Sequence, residues 1–152
     1  MNPSPYLRSW SRVGSMRLPL SAIALSIILF CGCRNANRPK TVPVKGSITF
    51  GGQPPAYPGA LFFAPLQVAD GYPRRGGRAH FDTDGQFVVT SFDEGDGLVP
   101  GTYRVRIESW RKPPTMEAPG ISYVPRDFNA ADLVVAANER VVRYDVEVPN
   151  GK

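Results

Sequence analysis

The sequence predicts an all-β domain, an antiparallel β-sandwich, and three observations carry that expectation. Apolar residues recur at every second position in several stretches, the period of a strand with one face buried. These stretches are short and punctuated by turn chemistry, for the chain holds 15 Gly and 16 Pro in 152 residues. No segment beyond the N-terminal third carries a convincing helical period.

Taken in order, Val42, Val44, Ile48 and Phe50 alternate with Pro43, Lys45, Ser47 and Thr49, with Gly46 on the apolar side. Gly51-Gly52-Gln53-Pro54-Pro55 ends that run with turn residues. Ala60 to Pro65 is continuously apolar and of strand length, which places it deep in the core. A loop with Arg74, Arg75 and Arg78 near it leads to a brief strand, Arg78 to Thr83. Asp84-Gly85 then signals a tight turn, since both residues tolerate positive φ. After it, Phe87, Val89 and Ser91 point one way and Val88, Thr90 and Phe92 the other. A polar crossing loop, residues 93–97, and a second turn at Pro100-Gly101 lead into Tyr103, Val105 and Ile107, alternating with Arg104, Arg106 and Glu108.

Residues 109–132 form an irregular insertion rich in proline and aromatics, with an edge strand expected around Ile121 to Val124. Leu133 to Ala136 is a further short strand. Val142, Tyr144, Val146 and Val148 face inward in the last one, opposite Arg143, Asp145 and Glu147. Complementary charge places Arg104 and Arg106 on the same outer face as Asp145 and Glu147. The total is seven or so strands.

Ahead of the domain, residues 1–32 carry Arg8, Arg12 and Arg17, no acid, and an apolar run from Leu18 to Phe30. A basic start, a short apolar core and a small residue before a cleavage point read as a secretory signal, the run being short for the ~20 residues of a membrane span. Leu29-Phe30-Cys31-Gly32-Cys33 resembles the bacterial lipobox, which implies Cys33 as the lipidated N-terminus and an anchor in a cell-envelope membrane. Cys31 and Cys33 have no distal partner, so a disulfide framework is excluded. The polar tether spans 33–41 and the sandwich domain 42–149. Losing the three signal arginines takes the formal charge from +5 to +2, which removes the case for nucleic-acid binding.

Val44-Lys45-Gly46-Ser47-Ile48, the stretch Asp82 to Phe87, and Gly97 to Tyr103, in that order, resemble the carboxypeptidase regulatory-like (transthyretin-like) β-sandwich of small planctomycete lipoproteins. The resemblance covers about Val42 to Val148. It implies a seven-stranded antiparallel, Ig-like sandwich serving as an accessory module on the cell envelope, with a protein partner there. It brings over no catalytic residue and no cofactor.

Catalytic chemistry finds no support in the residues. His80 is the one histidine, a sheet-edge residue by its setting, and no Gly-x-Ser-x-Gly elbow occurs. Asp82-Thr83-Asp84-Gly85 invites a calcium reading, but Phe87 stands at the glycine position of an EF-hand. A looser site from Asp82 or Asp84 with Asp93, Glu94 and Asp96 is the remaining metal alternative, and the alternative to a metal is that Asp84-Gly85 simply turns the chain. Two functional classes follow. One is an interaction module that uses an exposed sheet edge. The other is a small-ligand or glycan binder that uses Trp110, Tyr123 and Tyr72 as apolar platforms.

Overall fold

A computed structural model describes residues 38–149; the expected signal segment 1–32 and Cys33 lie outside them. Nine strands form two sheets, with no helix among the described residues. The first sheet contains β1 (Val44–Phe50), β4 (Gln86–Val88), β8 (Val142–Arg143) and β9 (Val146–Val148). The second contains β2 (Gly59–Val68), β3 (Gly77–Phe81), β5 (Gly101–Lys112), β6 (Ile121–Ser122) and β7 (Leu133–Val135). The fold is a β-sandwich, as expected.

Alternation decides which side chains fill it. Val44, Ile48, Phe50, Phe87, Val89, Val142, Tyr144 and Val148 enter the core from the first sheet and its flanks. Leu61, Phe63, Phe81, Tyr103, Val105, Ile107, Leu133 and Val135 meet them from the second. Each such side chain withdrawn from water contributes about 1.5–3 kcal/mol. Phe63 and Tyr144 meet edge to face, ring centres 6.2 Å apart.

Two turns behave as local chemistry demands. Gly85 has φ 72° and its N–H donates to the Asp82 carbonyl at 3.0 Å, while Asp84 Oδ1 accepts the Gln86 N–H. Only the glycine, not Asp84, takes positive φ, so the connection is a four-residue turn rather than the two-residue kind. At Leu98-Val99-Pro100-Gly101-Thr102-Tyr103, the wholly buried Tyr103 donates its hydroxyl to the Val99 carbonyl at 2.8 Å. This is a tyrosine corner, which locks the chain where it passes from one sheet to the other.

The structure corrects five expectations. The sheets are not wholly antiparallel: β8 and β9 run parallel to β1, pairing Val44 with Val142 and Ile48 with Val146. Side-chain alternation is the same for either strand direction, and parallel neighbours need a long connection that no turn motif announces. The strands number nine among the described residues rather than seven, because the last strand is broken at Tyr144–Asp145 and the insertion adds the short β6. The run Ala60 to Pro65 is not buried on both faces. β2 alternates, with Leu61 and Phe63 inside and Phe62 outside under the Arg106 guanidinium, 5.1 Å from its ring centre. β5 continues past Ile107 to Lys112, where β6 pairs with it. Arg104 and Arg106 do not share a face with Asp145 and Glu147, since β5 and β9 belong to different sheets. Arg104 instead pairs with Asp132 at 3.7 Å and Arg106 with Glu108 at 3.0 Å.

Candidate functional site

The outer face of the first sheet carries a groove of about 1000 Å³. It follows from register. β1 buries Val44 and Gly46, so Lys45 must face out. Lys45 stands opposite Val88 of β4 and opposite Arg143 of β8, which puts the three in one row across the sheet. Beyond β4, Thr90 and Arg78 exchange backbone hydrogen bonds of 2.9 and 2.8 Å, and this bridge joins the margin of the first sheet to β3 of the second. Arg78 and His80, both outward on β3, therefore line the groove together with Lys45 and Arg143. Val88, half exposed, and Glu94 and Gly95 line it as well.

The charges are unevenly satisfied. Arg143 donates to Asp145 at 2.7 Å, and that bond, with those from Ser47, holds the Asp145 carboxyl below the usual carboxylate range. Lys45 and Arg78 form no ion pair among the described residues. The arginine cluster of the sequence is divided. Arg74 donates to the Pro65 carbonyl at 2.9 Å, and Arg75 donates to the Ser91 carbonyl at 2.8 Å while lying over the Phe92 ring. Those two brace the loop; only Arg78 reaches the groove. Sequence reasoning noticed His80 and Arg78 but missed Lys45 and Arg143, whose only signal was an outward position on a strand.

The three aromatics expected as a platform have different surroundings. Tyr123 stacks on Phe50, ring centres 4.4 Å apart, meets Tyr57 edge-on at 5.3 Å, and lies under Arg111 at 5.1 Å. Trp110 is half-buried beside β6, and Tyr72 is half-buried against the core next to the turn at Ala69. No aromatic contact among the described residues joins Trp110, Tyr123 and Tyr72. The carboxylates weighed for calcium are likewise dispersed. Asp84 closes its own turn, Asp93 pairs with Arg38, and Asp96 accepts the N–H groups of Ser91 at 2.8 Å and Phe92 at 3.1 Å. Among the described residues no three His, Cys, Asp or Glu side chains cluster as a metal would need.

A second feature lies on β5. One edge of this strand pairs with β2 from Gly101 to Ser109, whereas the other holds β7 only at Gly101–Tyr103 and β6 only at Trp110 and Lys112. The Ser109 carbonyl accepts the Tyr123 N–H at 2.8 Å, so the main-chain groups of Ile107 and Val105, two and four residues back, face the same side. Neither has a backbone partner there among the described residues. They open onto a cavity of about 630 Å³ flanked by Arg104, Arg126, Phe128 and Asn129. No family model, curated protein or solved structure matches the chain.

Proposed function

We propose that this chain is a lipid-tethered, non-catalytic interaction module of a bacterial cell envelope, built on a carboxypeptidase regulatory-like (transthyretin-like) sandwich. The lipobox-like Cys33 behind a basic and apolar leader supports the tether. The two-sheet fold and the tyrosine corner at Tyr103 agree with such a sandwich.

The observation that carries the interaction reading is the unpartnered stretch of β5. Main-chain groups of Val105 and Ile107 lie between two short strands that stop before reaching them, as a slot for an extended segment requires. Strand addition there supplies hydrogen bonds from the backbone and selectivity from the flanking side chains. Isolated open edges also promote self-association, and a partner that fills the slot removes that hazard.

Two measurements test the reading. Intact mass and detergent partitioning of the protein from its native membrane should show an acylated chain starting at Cys33, and Cys33→Ser should lose both. A photo-crosslinking residue at Arg126 or Asn129 should then join one envelope protein in cells, and the same residue at Asp84 should not. Equal yields at all three positions, or none, would remove the β5 slot as the docking place.

A further inference from the structure

The outer groove of the first sheet has features that the interaction reading leaves unused. Its walls come from four strands, and its lining holds Lys45, Arg78 and Arg143 against one carboxylate, Glu94, with His80 beside them. Arg143 is engaged by Asp145, but Lys45 and Arg78 form no ion pair among the described residues. Two unpaired cations against one carboxylate leave the groove net positive, and concavity strengthens that potential by limiting how much water can screen it.

We infer that this groove binds a phosphate-bearing ligand, with the phosphate held between Lys45 and Arg78 and the remainder lying over Val88. Charge favours an anion, since Lys45 and Arg78 outnumber the single carboxylate Glu94, and a phosphomonoester, at about −1.5 to −2 at neutral pH, engages two cations where a carboxylate engages one. The donor types fit as well. An Arg guanidinium offers a planar fork to two phosphate oxygens, and a Lys ammonium offers a mobile point charge to a third. His80 and the Thr90 hydroxyl line the same groove and supply further polar contacts. Half-exposed Val88 and the small residues Gly46 and Ala79 leave an apolar floor, and the volume of about 1000 Å³ exceeds what a bare phosphate ion would fill. The same chemistry comes from two sources, a soluble phosphate ester or a phospholipid headgroup.

The test uses the full chain in nonionic detergent, titrated with glycerol phosphate or with phosphatidylglycerol added to the micelles, followed by amide and side-chain shifts in NMR. Saturable shifts at Lys45, Arg78 and His80 are expected with at least one probe, and the probe that produces them identifies the source. Lys45→Gln and Arg78→Gln should each weaken binding about tenfold, the loss of one charge-assisted contact. Lys112→Gln, on the other sheet, should leave it unchanged. Each variant must keep the parent melting temperature, as its side chain is exposed and makes no ion pair among the described residues. No saturable shift with either probe, or equal affinity in the Lys45, Arg78 and Lys112 variants, would overturn the inference.

Discussion

The Asp145 carboxylate takes the place of a backbone partner for Ser47. Its Oδ1 accepts both the Ser47 N–H at 2.9 Å and the Ser47 hydroxyl at 2.8 Å, 98 positions away along the chain. This bond sits where the parallel ladder lapses between β8 and β9, and Arg143 holds the carboxylate from the other side at 2.7 Å. One side chain thus bridges a gap in the sheet and ties the two ends of the domain together.

Asp145→Ala is therefore expected to destabilise the domain by about 1–2 kcal/mol, the cost of three lost hydrogen bonds at an exposed site. Asp145→Asn reports on charge. Because the Arg143 bond, then the Ser47 bonds, lower the folded-state pKa, the ionised group stabilises the fold above the ordinary carboxylate value of 3.8. That contribution is lost as pH falls through the lowered folded value. Urea denaturation from pH 7 down to 2 should show a shallower acid limb in Asp145→Asn than in the parent chain.

Gly46 faces the same junction from β1. A Cβ at this position would lie 1.7 Å from the Tyr144 carbonyl oxygen and 2.6 Å from its carbon. The obstacle is backbone, so no rotamer change relieves it. Gly46→Ala should cost at least about 3 kcal/mol or prevent folding, measured by thermal melting beside Gly71→Ala, where no atom lies within 4 Å. Gly71 has φ 81°, so its variant reads backbone strain alone and is expected to lose only about 1 kcal/mol.

Tyr103 makes the alkaline counterpart. Burial pushes its phenol from 10.0 up to about 12, and burial together with the Asp132 charge raises Tyr144 as well. The folded chain keeps a proton that the unfolded chain releases near pH 10. Stability is thus flat with respect to these groups below pH 10 and falls as pH climbs toward 12. Tyr103→Phe should lower stability at pH 7 by about 1–3 kcal/mol, since the buried Val99 carbonyl loses its donor. It should also flatten the alkaline limb, leaving only the part due to Tyr144.

Asp96 organises the crossing loop between the sheets. Its carboxylate receives the N–H groups of Ser91 and Phe92, and the Gly95 N–H reaches the Thr90 hydroxyl at 3.0 Å. Asp96→Ala strands two half-buried donors and is expected to cost about 1–3 kcal/mol. Limited proteolysis should then cut within residues 93–97 faster than in the parent chain.

In-or-out placement was legible almost residue by residue. Phe87, Val89 and Ser91 are buried while Val88 is exposed, and Tyr103, Val105 and Ile107 are buried while Arg104 and Arg106 are exposed, as the alternation requires. The Asp84-Gly85 turn and the short β7 were legible for the same reason: a strand's face and a turn's φ depend on a few adjacent residues. The exception, Ala60 to Pro65, has no polar residue to mark its outer face, so Phe62 could be placed only by its neighbours.

Which strands lie side by side is another matter. Arg104 and Asp145 alternate alike and yet belong to opposite sheets, and β9 runs parallel to β1 although its residues fit either direction equally well. The groove follows the same rule. Lys45 and Arg143 stand 98 positions apart, and Arg78 joins them only through the bridge to Thr90. Local pattern sets the face of a strand because that choice is made by nearest neighbours along the chain. Pairing between distant strands is set by how all the inner faces pack at once, so it was decided only when the two sheets closed on a common core.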